Sequence, residues 1–274
     1  MAMMKSIDTV VPAALREAVG GDLSGALLHG IYDELGGPVY DDISRNDRHE
    51  VAELLRALRG CRGTTLELAA GAGRLTIPMI ATGRHVTALE LSSTMIALLR
   101  RRLEEMPSAL SERCTVVQAD MSDFDLARTF SAIVIGTTSI CLLDAEDRSG
   151  LYSCVYGHLN EHGIFIASVL DVPVASGVST EVVREVRGES GRGYWLAERL
   201  EAGGTARTVA VTSVDGTEPR HIGVGTVAVI NASVIQEEMG SHGLRVVQDW
   251  VVPGVEERYN VHLLVAVAAE GAGI

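Results

Sequence analysis

The sequence predicts an α/β protein built on a doubly wound, mostly parallel sheet. Three observations carry the expectation. Apolar segments of strand length alternate with amphipathic helical segments five times before Leu170. The stretch LELAAGAGR, Leu66 to Arg74, places a glycine turn between an apolar strand and a helix-like segment, RLTIPMIA. SAIVIGTTSICLL is a near-continuous apolar run, the pattern of a central parallel strand covered on both faces. A length of 274 residues fits one large domain, or a domain with an insertion, and 47% hydrophobic content argues for a packed core.

Residues 1–45 read as an N-terminal helical cap, with short helices around VPAALREAV and LSGALLHGI. In IYDELGGPVYDDIS, Tyr32 and Tyr40 then flank a Gly36-Gly37-Pro38 turn. Residues 46–170 form the core. Asp47 and Glu50 have the spacing of a capping pair, and Val51, Leu54, Leu55 and Leu58 repeat at helical spacing up to Gly60. The strand Thr64–Leu68 leads into the glycine turn. The helix Arg74–Ala81 follows, with Pro78 in its first turns and Gly83 after its end.

A second strand, His85 to Leu91, ends on Glu90, and Ser92 or Ser93 caps a helix with Met95, Leu98, Leu99 and Leu103 on one face. TVVQAD is a third strand, ending in Asp120. The apolar run is the fourth and opens into Gly136-Thr137-Thr138-Ser139. Asp144 and Asp147 start a helix whose inner stripe includes His158, read as a hydrogen-bonded packing residue. GIFIASVL is the fifth strand.

From residue 171 to 230 the pattern changes. EVVREVRG, YWLAERLEA, TARTVAVTSV and GVGTVAVI read as an antiparallel insertion. In residues 231–274, Asn231 or Ser233 caps a last helix, and GLRVVQDWVV and NVHLLVAVAA close the chain as two strands.

A net charge of −13 disfavours a phosphate backbone as partner, so no nucleic acid is expected. Arg100-Arg101-Arg102 stands beside Glu104 and Glu105 and reads as a solvated helix face. Cys61, Cys114, Cys141 and Cys154 are scattered, the usage of reduced thiols in a cytoplasmic protein rather than a metal site or a disulfide framework. The sequence shows no membrane span and no long apolar leader core.

The chemistry gathers around the glycine turn. Small residues there let a ligand approach the backbone, and an acid at the end of the next strand suits the two hydroxyls of a ribose. This is the pattern of a nucleoside cofactor site. A dinucleotide fingerprint requires glycine at the third position, where Thr76 stands. The stretch Glu67-Leu68-Ala69-Ala70-Gly71-Ala72-Gly73 instead resembles motif I of the class I S-adenosylmethionine-dependent methyltransferases, with Ala69 in place of the first glycine, a mild departure that adds one methyl.

The resemblance, over about residues 32 to 170, implies a Rossmann-like, seven-stranded, mostly parallel sheet completed by the final strand pair. It implies S-adenosyl-L-methionine as cofactor, with no metal. It also places Glu67, Ala69, Gly71, Gly73, Arg74, Glu90, Leu91, Met95 and Thr137 at the cofactor. Asp120 would take the adenine amino group and Met121 pack on the ring, although Asp120 alone also reads as the cap of a turn. Tyr32 and Tyr40 would fold over the cofactor, or else pack the N-terminal segment onto the domain.

Methyl transfer needs an acceptor lone pair aligned with the sulfonium methyl, and a base only when the acceptor arrives protonated. Tyr194, His221 and Tyr259 are the candidates to face the acceptor, each with a structural or solvent-exposed alternative. The Gly-Thr-Thr-Ser turn lacks the proline and aromatic that methyltransferases of nucleic-acid bases often carry there. A small molecule or peptide is therefore the expected acceptor class.

The run from IYDELGGPVYDDI through the glycine turn is similar to enzymes of bacterial natural-product pathways. It resembles the daptide-type peptide methyltransferases, which dimethylate a terminal amine. N-methylation of an amine is thus expected. An O-methyltransferase, a nicotinamide-dependent reductase and a non-catalytic cofactor-binding subunit are the alternatives. The insertion is expected as an acceptor lid, with a homodimer interface as its competing reading.

Overall fold

The computed structural model describes residues 7–45, 47–172, 177–216, 219–252 and 258–269. Its strands in chain order are β1 (Leu27–Gly30), β2 (Thr65–Leu68), β3 (Val86–Glu90), β4 (Cys114–Gln118), β5 (Phe130–Ile135) and β6 (Leu159–Asp171). They continue as β7 (Thr180–Arg187), β8 (Gly193–Leu200), β9 (Ala206–Ser213), β10 (His221–Ala228), β11 (Leu244–Val251) and β12 (Asn260–Ala268). The chain divides into two compact units, Met1–Asp47 with Val174–Val229, and Arg48–Pro173 with Ile230–Ile274.

The second unit holds the expected doubly wound sheet, in the order β11-β12-β6-β5-β2-β3-β4. All neighbours from β6 to β4 pair parallel, while β12 runs antiparallel to both β6 and β11. β2 and β3 are buried at every position, and β5 at all but Ser131, as strands covered on both faces must be. Two helices cap as their sequences dictate, whereas Asn231 precedes the helix Ala232–Ser241 without a side-chain cap bond. Ser92 Oγ accepts the Met95 amide, and Asp144 Oδ1 accepts those of Glu146 and Asp147. His158 is a packing residue: Nδ1 bonds the Cys154 carbonyl at 2.7 Å, and Nε2 accepts the Leu126 amide at 3.0 Å.

In the first unit the insertion strands form a five-stranded sheet, β1-β10-β9-β8-β7. LSGALLHGI, expected as a helix, instead contains β1. Its four residues pair parallel with His221–Val224, and Gly25 and Gly30 leave the segment a poor helix former. One sheet face carries Val11 and Leu15 against Ala197, Ala210 and Ile222; the other packs Ile31, Tyr194 and Val211 with Val39, Tyr40 and Ile43. Among the described residues, no helix is long and apolar enough to cross a membrane.

Candidate functional site

From β2 the chain winds to β3 and β4, and from β5 it winds the other way to β6. The topological switch point of this sheet therefore lies between β2 and β5, the place where open α/β sheets bind ligands. After β2 the backbone turns through Ala69 (φ +52°), Gly71 (φ +57°) and Gly73 (φ +88°), all left-handed. At Gly73 an added Cβ would lie 2.5 Å from Leu99 Cδ1, so glycine also lets the helix Ser93–Glu104 close on the turn. At Ala69 the departure from glycine is felt through backbone strain rather than crowding, since an alanine held there costs about 1 kcal/mol. Arg102, expected on a solvated face, donates to the Ala72 carbonyl at 2.8 Å, while Arg101 stays exposed beside Glu105.

Three buried carboxylates surround the turn. Glu90, at the end of β3, accepts the Gly71 amide on Oε2 at 2.8 Å, and those of Leu91 and Ser92 on Oε1 at 3.0 and 2.8 Å. Glu67, on β2, accepts the Thr76 hydroxyl. The residue that breaks the dinucleotide fingerprint thus has a function of its own here. Burial drives the Glu67 pKa up to about 8; Thr76 and Arg74 oppose the rise, and the charges of Glu90 and Glu50 add to it.

Glu50 is the residue that sequence reasoning missed. Expected as half of a capping pair, it precedes the helix Val51–Ala57 at φ +59° and makes no side-chain cap. Its carboxylate turns to the sheet edge, where Oε1 accepts the Thr137 amide at 2.5 Å and Arg74 Nη2 at 3.0 Å.

The remaining positions are placed as follows. Met95 is buried, its Cε 3.5 Å from where a Gly71 Cβ would lie, whereas Leu91 is 61% exposed. Asp120, two residues beyond β4, is exposed and caps a turn by accepting the Ser122 amide and hydroxyl on Oδ1. Met121 is half-buried beside it. Tyr32 and Tyr40 meet edge to face in the other unit, their centroids 4.9 Å apart.

Of the three acceptor-side candidates, the first unit brings two together. Tyr194 and His221 line one cavity of about 300 Å³ with His29, Asp215 and an apolar wall of Leu35 and Val39. The Tyr194 hydroxyl donates to Asp42 at 2.8 Å, and burial, then the Asp42 carboxylate, push its pKa up and keep the phenol protonated. Tyr259 belongs to the other unit, where it is buried beside Arg258.

The residues present fit a nucleoside cofactor. Glu90 stands at the end of β3 with its carboxylate on the glycine turn, an acid suited to ribose hydroxyls and unfavourable to a pyrophosphate dianion, while Glu67, its pKa raised to about 8, holds its proton and adds no charge.

Comparison with known proteins points the same way. Residues 65–163 match the family model of the methyltransferase domain. A dTDP-3-amino-3,4,6-trideoxy-α-D-glucopyranose N,N-dimethyltransferase of Streptomyces venezuelae is 30% identical over 139 residues, 49% of this chain. The match spans only 55% of that curated relative. The glycopeptide N-methyltransferase MtfA, solved with S-adenosyl-L-methionine, is 32% identical over 80% of this chain and 93% of its own, with a TM-score of 0.61. An amino pentose methyltransferase of Micromonospora echinaspora, at 21% identity over 87% of this chain and 99% of its own and a TM-score of 0.64, shares the fold.

Proposed function

Since the chain belongs to the S-adenosylmethionine-dependent methyltransferases, we propose that it methylates an amine on a sugar-bearing small molecule or glycopeptide in a bacterial natural-product pathway. The observation that carries this reading is the 32% identity to a glycopeptide N-methyltransferase over 93% of that enzyme. The dimethyltransferase of a dTDP-amino sugar supports the same acceptor chemistry.

When bound, the cofactor supplies an electrophilic methyl on a sulfonium sulfur. The chain's own part is to bind and orient. Gly71 and Gly73, both left-handed, keep the turn after β2 free of side chains where the ligand approaches, and Glu90 offers its carboxylate to the ribose. An amine nucleophile must be neutral when it attacks. Tyr194, held protonated, is unsuited to take that proton.

The test is mass spectrometry with a 13C-methyl-labelled cofactor and a panel of amino sugars, glycopeptides, linear peptides with free N-termini and phenols. Label is expected on the amine of a sugar-bearing acceptor. Label on a linear peptide terminus would favour the peptide-terminus reading, and label on phenols alone would replace N-methylation with O-methylation.

A further inference from the structure

Glu50 stands where a simple helix start needs no carboxylate. It is 3% exposed, holds a left-handed backbone, and leaves Oε2 buried without a hydrogen-bond partner. Burying a carboxylate this way is unfavourable, and burial raises its pKa although Arg74, the Thr137 amide and Ser168 oppose the rise. Such an arrangement persists when the surrounding structure requires it.

What it spans suggests the requirement. Arg74 follows the glycine turn at the end of β2, and Thr137 lies in the turn at the end of β5. These strands are neighbours, and the switch point lies between them. Thr137 and Thr138 are both left-handed at φ +57°, a run that non-glycine residues rarely adopt. Their amides are accepted by Glu50 Oε1 and, at 2.7 Å, by Ser168 Oγ. Gly136 makes room for this turn, since a Cβ there would lie 2.2 Å from Leu75 Cδ1 and 3.0 Å from Glu50 Oε1. Arg74 in turn also donates to the His49 carbonyl at 3.1 Å.

We propose that Glu50 is a positioning residue of the cofactor site, a staple across the switch point that fixes the β2 and β5 turns relative to each other. The inference rests on the cofactor reading. With the ribose on Glu90 at the end of β3, to one side of β2, the cofactor's amino-acid end is left for the β2 and β5 turns. Glu50 therefore acts on that end and not on the nucleoside.

The experiment is titration calorimetry of wild type and Glu50→Gln with two probes, S-adenosylhomocysteine and adenosine, with thermal unfolding recorded in parallel. Glutamine keeps an acceptor for Thr137 but loses the charge that holds Arg74. The expected result is about a tenfold loss of affinity for S-adenosylhomocysteine, the size of one misaligned charge-assisted hydrogen bond, with adenosine binding unchanged. Equal binding of both probes by variant and wild type would overturn the inference. So would a parallel loss of both, which marks a merely structural role. If Glu50→Gln does not fold, Arg74→Lys, which keeps the charge and loses the fork, is expected to show the same split between probes, and absence of the split overturns the inference. A wild-type protein that binds neither probe would instead refute the cofactor reading on which it rests.

Discussion

Glu50, Glu67 and Glu90 are all nearly excluded from solvent, yet only two of them were legible in the sequence. Glu67 and Glu90 stand on recognisable strands beside a glycine turn, so their order alone assigned them to one edge. Glu50 copies the spacing of a capping pair, and its amide partner lies 87 residues further on, a distance that local pattern cannot bridge. Glu67 makes the electrostatics testable. Its folded-state pKa of about 8 lies above the unfolded value of 4.5, so the folded protein holds this proton more tightly. The contribution is complete below pH 4.5 and is lost as pH rises through 8. Chemical denaturation of wild type should therefore show stability falling between those limits by on the order of a few kcal/mol. In Glu67→Gln much of that slope should vanish, with the variant the more stable protein at alkaline pH. An unchanged slope would show that Glu67 is ionised in the folded protein.

At the scale of elements, pattern reading identified β5 from its near-continuous apolar run, and β2 and β3 as short strand-length segments that end in the glycine turn and at Glu90. It failed at LSGALLHGI, where four residues become a strand only because β10 supplies a partner late in the chain. The antiparallel strands were legible as β-type segments separated by Gly, Ser and Asp turns, but not the charge buried among them. Glu198 on β8 is 1% exposed and accepts Arg184 on one oxygen and Arg207 on the other, each at 2.9 Å. Removing it takes the carboxylate that Arg184 and Arg207 share from both of them. Arg184 keeps 46% of its side chain in solvent, which softens the penalty. Glu198→Ala should lower the unfolding free energy by about 2–4 kcal/mol, read from urea midpoints at constant slope. A shift below about 0.5 kcal/mol would mean that the pair adds no more than an exposed one.

For the whole molecule, the sequence predicted a cofactor core and a β-rich insertion, and the structure resolves two units in which the N-terminal segment and the insertion share one sheet. That partnership was hidden because its two parts are separated by the entire core. The account as a whole stands on the glycine turn and Glu90 forming the S-adenosyl-L-methionine site. Glu90 holds the Gly71 amide, and the proposed ribose contact falls on the same carboxylate, so its loss would act on ligand and turn together. The direct measurement is calorimetric titration of wild type and Glu90→Ala with S-adenosylhomocysteine, with circular dichroism to confirm the fold of the variant. Wild type should bind at one site per chain, and Glu90→Ala should bind more weakly by about 1.5–3 kcal/mol. A folded Glu90→Ala protein that binds S-adenosylhomocysteine as tightly as wild type would contradict the account.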